Sequence, residues 1–270
     1  MPELPEVETV RRAMERHLNG QQILAVRTSG KRLRAPLPTA RLRQLVGDTF
    51  AQARRRAKYL LLDLESGRTL LIHLGMTGNL VFRAPGEKHD HLVCELAQSP
   101  PLVFSDPRRF GLVLVLDPGE EAGCPYLSEL GPEPLEAGFD AAYLSAQCRR
   151  RRRPIKTLLM DNQVVVGVGN IYASESLFRA GIHPLTPADQ LSGEQLKTLV
   201  REIKGILRES IRRGGTTISD YLGSGHGGRF QQQLAVYGRA GENCLVCERP
   251  VESAVLGGRS TFYCPSCQQK

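Results

Sequence analysis

Two groups of residues in this chain have the composition for chemistry. The first opens it: Met1-Pro2-Glu3-Leu4-Pro5-Glu6-Val7-Glu8. Loss of Met1, which a small second residue such as Pro2 permits, would leave a secondary amine with a carboxyl group beside it. An α-amino group titrates at about 7.7–8.0, so a useful fraction is unprotonated near neutrality. Attack of such an amine on an aldehyde-like carbon gives a charged iminium directly, the chemistry lysine performs in Schiff-base enzymes. The ordinary reading is structural, with Pro5 at the first position of a helix, where its missing N–H costs nothing.

The second group closes the chain as Cys244-x2-Cys247-x16-Cys264-x2-Cys267. Two chelating pairs at this spacing suit a tetrahedral Zn²⁺ between β-hairpin knuckles, a zinc ribbon. Four thiolates close the coordination sphere, so one structural zinc is expected rather than a catalytic one. Between the knuckles, Arg259 is flanked by Gly257, Gly258 and Ser260. Small neighbours let a phosphate approach an arginine closely; otherwise Arg259 is a solvated hairpin tip.

Other residues have a weaker claim. Val166-Gly167-Val168-Gly169-Asn170-Ile171-Tyr172 leads glycines into a helix, where backbone N–H groups can bind phosphate and Asn170 can add its amide. Glycines before a helix also serve the turn alone. Lys58 stands between Arg54-Arg55-Arg56 and an apolar strand, and Lys156 follows Pro154; each could reach a phosphate or a reacting centre, although most such charges are solvated ends. Met76 and Phe110 fall on turns, Phe110 with Arg108 nearby. Exposed there, the apolar side chains could wedge between base pairs while arginine fills the vacated space, but by composition they belong in a core. His73, His89 and His91 lack ligand-like partners in sequence and read as structural. The run Arg149–Arg153 reads as solvated charge more readily than as a dedicated DNA contact.

The elements that must position these residues divide the chain. Val7, Val10, Met14 and Leu18 recur at helical spacing and predict a helix over Glu6–Leu18. Short β-rich runs follow at Ile23–Arg27, Tyr59–Leu64, Thr69–Leu74, Asn79–Phe82, His91–Leu96, Leu102–Phe104 and Gly111–Leu116. Without long helices between them they predict an antiparallel β-sandwich, with a short helix at Leu42–Leu45. Beyond Asp117-Pro118-Gly119 the pattern becomes helical: Asp140–Gln147, Ile155–Asp161, Asn170–Arg179, and Glu194–Arg212 with one apolar stripe. A Gly-, Ser- and Thr-rich loop spans Gly214–Phe230, either functional or a linker. The expected fold class is α+β, in three parts: 1–131, an N-terminal helix with the β-sandwich; 132–234, helical; 235–270, the zinc ribbon.

With 270 residues and 41% hydrophobic content, the chain can bury a sizeable core. No apolar run approaches a membrane span, and the acidic start lacks the positive region of a signal peptide. A cytoplasmic monomer without membrane contact is expected. The formal charge of +8 points to a polyanionic partner, nucleic acid first. Cys94, Cys124 and Cys148 are scattered and read as small buried hydrophobes. Tryptophan is absent, so a stacking platform for single strands is not advertised.

Taken together, Pro2-Glu3-Leu4-Pro5-Glu6-Val7-Glu8, Gly167-Val168-Gly169-Asn170-Ile171-Tyr172 and the four-cysteine ribbon closely resemble the formamidopyrimidine-DNA glycosylases, and the resemblance covers essentially the whole chain. It implies a bacterial base-excision repair enzyme that removes 8-oxoguanine and formamidopyrimidines from double-stranded DNA and nicks the strand at the abasic site. It implies an N-terminal helix on a β-sandwich, a helix-two-turns-helix domain and a zinc ribbon. Residue by residue, Pro2 matches the nucleophile that attacks C1′, and Glu3 the carboxyl group that helps to open the sugar. Lys58 matches a lysine near the flipped nucleotide's phosphates, and Asn170 and Arg259 match phosphate grips. Lys156 matches a lysine implicated in handling the oxidised purine, and Met76, Arg108 and Phe110 match residues that fill the gap. Lys58 and Arg259 are expected to join Pro2 and Glu3 in catalysis, and His91 to join the DNA contacts. The segment Thr216–Phe230 matches the loop that closes over the extruded base.

Three alternatives define the limits. An endonuclease VIII-type enzyme shares fold and proline but prefers oxidised pyrimidines; Leu4, Lys156, Met76 with Arg108 and Phe110, and the glycine-rich loop favour the purine-directed branch. A non-catalytic zinc-ribbon DNA-binding protein explains charge and cysteines but leaves Pro2-Glu3 idle. A tautomerase using an N-terminal proline as base fits poorly with a basic, zinc-bearing chain.

Overall fold

A computed structural model describes residues 2–214 and 234–269. Most of the loop Gly214–Phe230, including all of Thr216–Phe230, lies outside the described residues, as does Met1. Two compact units emerge; among the described residues the first comprises residues 2–128 with Gly214, and the second Glu129–Arg213 and the C-terminal segment with the four cysteines.

The first unit is built on α1 (Leu4–Leu18). The helix starts earlier than its apolar spacing predicts. Glu3 is the N-cap and a capping box closes the first turn, with Glu3 N–H donating to Glu6 Oε2 at 2.8 Å. Pro5 therefore sits second in the helix, where its lost donor is still one that no intrahelical acceptor would have met. Val7, Val10, Met14 and Leu18 are buried in the core.

The strands are β1 (Ile23–Thr28), β2 (Phe50–Arg56), β3 (Tyr59–Leu64), β4 (Thr69–His73), β5 (Asn79–Phe82), β6 (Asp90–Leu96), β7 (Leu102–Ser105) and β8 (Leu112–Leu116). They form two four-stranded sheets in the orders β1-β6-β7-β5 and β2-β3-β4-β8, antiparallel throughout. β2 is the strand that periodicity does not predict, because its sequence reads as charge. Its inward residues are Phe50 and Ala53. Arg54 is satisfied by Asp63 and Glu121, at 2.5 and 2.8 Å, and Arg55 by Glu8 at 3.2 Å. The short helix α2 covers Thr39–Arg43, slightly before its expected place.

The second unit contains α3 (Ala141–Cys148), α4 (Ile155–Leu159), α5 (Asn170–Arg179) and α6 (Gly193–Arg212). Ser192 caps α6, accepting from Gln195 N–H at 3.2 Å. Leu196, Leu199, Val200, Ile203, Ile206 and Leu207 form its buried stripe. Tyr172 of α5 is fully buried and hydrogen-bonded to Ser210 of α6 at 2.6 Å. The unit ends in the antiparallel hairpin β9 (Glu252–Leu256) and β10 (Arg259–Tyr263) beside the cysteines. The architecture is α+β: a helix on an antiparallel sandwich, a helical part and a four-cysteine ribbon. Among the described residues, no helix is long and apolar enough to cross a membrane.

Candidate active site and nucleic-acid interface

In the first unit, α1 runs against β2. Glu15 accepts from Ala53 N–H at 2.9 Å, and Glu8 pairs with Arg55 at 3.2 Å. As α1 is followed back toward its N-terminus, its partners on β2 move forward toward the Ala57-Lys58 tip. The helix therefore delivers Pro2 and Glu3 to the sheet end that carries Lys58. Burial opposes ionisation of Glu8, but Arg11, Arg12 and Arg55 outweigh it and hold its carboxyl below the usual range. Glu3 and Glu6 are both buried, and the Glu6 carboxyl accepts from Glu3 N–H, so two carboxyl groups lie in the first turn of α1 beside Pro2 in sequence.

Strand register brings two further turns to the same sheet end. Tyr59 pairs with His73, and His73 with Leu112, so the turn after β4 and the turn before β8 leave side by side. They touch closely: Gly75 has φ +67, and a Cβ there would lie 2.6 Å from Gly111 N. No side chain fits at that position. Asp106, fully buried, ties the turns together. Its Oδ1 accepts from Thr77 Oγ1 at 2.6 Å and its Oδ2 from Gly111 N–H at 2.7 Å. Arg108 N–H donates to Thr77 Oγ1 at 3.3 Å.

Thus braced, Met76 is half-buried and Phe110 is 46% exposed, with the Arg108 guanidinium 4.8 Å from the Phe110 ring centroid. Neither apolar side chain is a core residue. His73 is pushed down to about 3, first by burial and then by the nearby cations Arg34 and Lys58. Its Nδ1 accepts from Gly75 N–H at 2.9 Å, so the neutral ring supports the Met76 turn.

The remaining candidates lie in the second unit. Gly167, at φ +79, takes a left-handed conformation that leads into α5, and Asn170 is the first helical residue. Lys156 is fully buried. Its ammonium donates to Asn170 Oδ1 at 2.6 Å, Thr261 Oγ1 at 2.7 Å and Ser260 O at 3.2 Å. Asn170 Nδ2 also donates to Ser260 O, at 2.9 Å. One lysine thus locks the start of α5 to β10, the strand that begins with exposed Arg259. An amide nitrogen carries two hydrogens, so Asn170 can still donate outward.

Lys156, Asn170 and Arg259 are brought together within the second unit, and Pro2, Glu3, Lys58, Met76, Arg108 and Phe110 within the first. His91 and Lys156 are the two candidate DNA contacts that the fold buries. His91 binds Ser29 Oγ through Nδ1 at 2.9 Å and Asp106 O through Nε2 at 3.0 Å.

The four cysteine sulfurs lie within 4.8 Å of one another. Cys244–Cys267 and Cys247–Cys264 are separated by 3.9 and 3.4 Å. Tetrahedral Zn–S bonds of about 2.3 Å require sulfurs about 3.8 Å apart, so the donor set fits one zinc. Four sulfur ligands leave no position for substrate, so the metal folds the ribbon.

Family profiles match in three consecutive segments: the formamidopyrimidine-DNA glycosylase N-terminal domain over residues 1–113, the H2TH domain of the same enzymes over 130–221, and a zinc finger found in FPG and IleRS over 241–270. The chain belongs to the formamidopyrimidine-DNA glycosylase family. It is 49% identical to the family's enzyme from Thioalkalivibrio sulfidiphilus over 273 residues, covering all of both chains. An Enterobacter formamidopyrimidine-DNA glycosylase is also 49% identical over the full length of both. Among solved structures, a Lactococcus lactis FPG mutant in complex with Fapy-dG-containing DNA superposes with a TM-score of 0.92 at 34% identity, covering 100% of each chain. The L. lactis enzyme with abasic-site DNA gives 0.92 at 35%, covering 99% of this chain and 100% of that one. The Thermus thermophilus protein gives 0.88 at 40%, with coverage of 99% and 98%. This is therefore a DNA-repair glycosylase with a structural zinc.

Sequence reasoning misses three supports of the site. Asp106 and Thr77 are one. Arg34 is another, its Nε donating to Phe110 O at 3.1 Å and its backbone N–H to Gly111 O at 2.9 Å. The third is Glu175, a buried carboxylate accepting from Ala235, Val236 and Tyr237 N–H at 2.9, 2.9 and 2.8 Å. An acid among the otherwise uncharged buried residues of α5 is its available signal. Asp106 left none beyond its place before Pro107.

Proposed function

We propose that this chain excises oxidised purines, 8-oxoguanine and formamidopyrimidines, from duplex DNA and then cleaves the strand as an abasic-site lyase. The observation that carries this reading is the delivery of Pro2, with buried Glu3 beside it, to the sheet end that bears Lys58 and the two braced turns. Removal of Met1 frees the Pro2 amine. The positive end of α1 disfavours its protonation, keeping a lone pair available.

A duplex hides C1′, so the nucleotide must leave the stack at a cost of a few kcal/mol. Met76, Arg108 and Phe110 fill the space it vacates, offsetting part of that cost. Asn170 and Arg259 hold phosphates, with Lys156 positioning both, and Lys58 meets the phosphates of the extruded nucleotide. Pro2 nitrogen then bonds to C1′ as the C1′–base bond breaks and the base departs with a proton. Glu3 delivers a proton to the ring oxygen, the sugar opens and an iminium forms. That iminium acidifies C2′. Loss of a C2′ proton expels the 3′ phosphate, and a second elimination expels the 5′ phosphate. The segments 1–131, 132–234 and 235–270 serve as catalytic, gripping and zinc-ribbon parts, and the enzyme works as a cytoplasmic monomer on the chromosome.

Competing excision tests the substrate class. With 8-oxoguanine opposite C and thymine glycol offered as separate duplexes, 8-oxoguanine is expected to be released faster. Faster release of thymine glycol would assign the chain to oxidised pyrimidines instead.

A further inference from the structure

β10 is held at both of its ends. Beside Arg259, Lys156 binds Ser260 O and Thr261 Oγ1, and Asn170 binds Ser260 O. At the other end the strand runs directly into the zinc ligand Cys264, and there the hold is Gln268, a polar side chain only 1% exposed. Its Oε1 accepts from Cys264 N–H at 2.8 Å and its Nε2 donates to Ile182 O at 2.8 Å. Its own N–H donates to Cys264 O at 3.0 Å. The amide can face only this way, because Cys264 N–H needs an acceptor and Ile182 O a donor.

Ile182 belongs to the exit of α5, where its N–H donates to Leu177 O at 3.0 Å. Gln269 extends the same seam, pairing with Ile182 in a parallel bridge and accepting from His183 N–H at 3.3 Å. The His183 and Tyr263 rings meet beside it, centroids 4.5 Å apart. Helix and strand are therefore joined twice. Lys156 joins the start of α5 to the start of β10, and Gln268 joins the exit of α5 to the cysteine that follows β10. A strand held at one point can turn about it, and the direction of Arg259 turns with it; held at two points, it cannot. The second join depends on the metal, because Cys264 N–H keeps its place only while the knuckle is folded around zinc.

We infer that Gln268 is a positioning residue that couples zinc to the DNA grip: through it the folded knuckle fixes the hairpin that bears Arg259 against the helix that bears Asn170. The inference rests on the reading of Asn170 and Arg259 as holders of phosphate. Coupling between two ligands is reciprocal. Zinc therefore tightens DNA, and DNA tightens zinc, by one and the same factor.

The test measures zinc affinity of the full-length, zinc-loaded chain by competition with a chelator, with and without a duplex carrying a tetrahydrofuran abasic analogue, which has no C1′ substituent to displace. In wild type the duplex is expected to tighten zinc about tenfold, within the usual span of about 5–150-fold for coupled sites. Gln268→Met keeps the length of the side chain and loses both hydrogen bonds. Its tightening should drop to about twofold, and the zinc-loaded variant should bind the duplex about fivefold more weakly than wild type, since zinc-free chains have no folded knuckle to hold and bind alike. Gln268→Glu, which keeps the acceptor for Cys264 N–H and loses the donor to Ile182 O, should hold zinc and show the same loss of coupling. A wild-type ratio in both variants overturns the inference, even where zinc affinity itself falls, because Gln268 would then be a stabilising contact alone. Absence of tightening in wild type overturns it too. So does failure of both variants to keep one zinc per chain, which would make Gln268 part of the metal site's construction instead of its link to DNA. Failure of the phosphate reading looks different: zinc-loaded Asn170→Ala/Arg259→Ala would bind the duplex as tightly as wild type.

Discussion

Two buried charges organise the two units in opposite ways. Asp106 is an acceptor: it gathers the Thr77 hydroxyl and Gly111 N–H, and so holds two turns of one sheet end together. Lys156 is a donor: it gathers the Asn170 carbonyl, the Ser260 backbone and the Thr261 hydroxyl, and so ties a helix start to a hairpin. The acid's bonds keep the turn backbones in place and leave Met76, Arg108 and Phe110 to project. The cation's bonds fix Asn170 against the strand that begins with Arg259, the two residues proposed to hold phosphates. A buried charge with all its partners made is a positioning device, and its sign suits what it positions. The two devices should fail differently, one in base excision and the other in DNA binding.

Lys156→Met should give the larger failure. It strands buried acceptors on α5 and β10, each costing about 1–3 kcal/mol when left unsatisfied. Affinity for lesion duplex is expected to fall by about 10–100-fold, corresponding to about 1.4–2.7 kcal/mol, with a lower thermal midpoint. Fluorescence anisotropy and calorimetry read both; unchanged affinity would break the comparison at this end. Asp106→Ala should act on the other side. Loss of the turn bracing is expected to slow excision from duplex DNA about tenfold, the effect of about 1.4 kcal/mol, while affinity for abasic-site DNA stays within about twofold of wild type. Equal losses in binding and excision would erase the distinction between the two charges.

A third effect, on stability and not on binding or excision, is a pH dependence centred on His73. Its ordinary value is 6.5 and its folded value about 3, chiefly through burial. Between these values the unfolded chain binds the proton that the folded chain refuses, so stability falls as pH drops from 6.5 toward 3. The change is on the order of a few kcal/mol at most. His73→Gln should flatten that part of the stability curve, read by thermal unfolding at stepped pH; an unaltered slope would remove His73 as its source.

Elements whose signals are local were legible. α5 begins at Asn170 and ends at Arg179 as expected, because glycines precede it and Gly181, at φ +67, follows its end. The cysteine cluster was legible from two spacings. β2 was not, because Arg54 and Arg55 become strand residues only through Asp63, Glu121 and Glu8, which lie elsewhere in the sequence. The same holds within the site. Lys156 could be singled out as a cation after Pro154, but burial by partners 14, 104 and 105 residues away is invisible to periodicity. Phe110 shows the reverse error: composition assigns it to the core, while the bracing of its turn leaves it 46% exposed.

The identity of the nucleophile is the most direct test. Borohydride reduction of Met1-free protein mixed with 8-oxoguanine duplex should trap a covalent adduct, and peptide mapping should locate the DNA on Pro2. Absence of an adduct, or an adduct carried by Lys58 or Lys156, would contradict it.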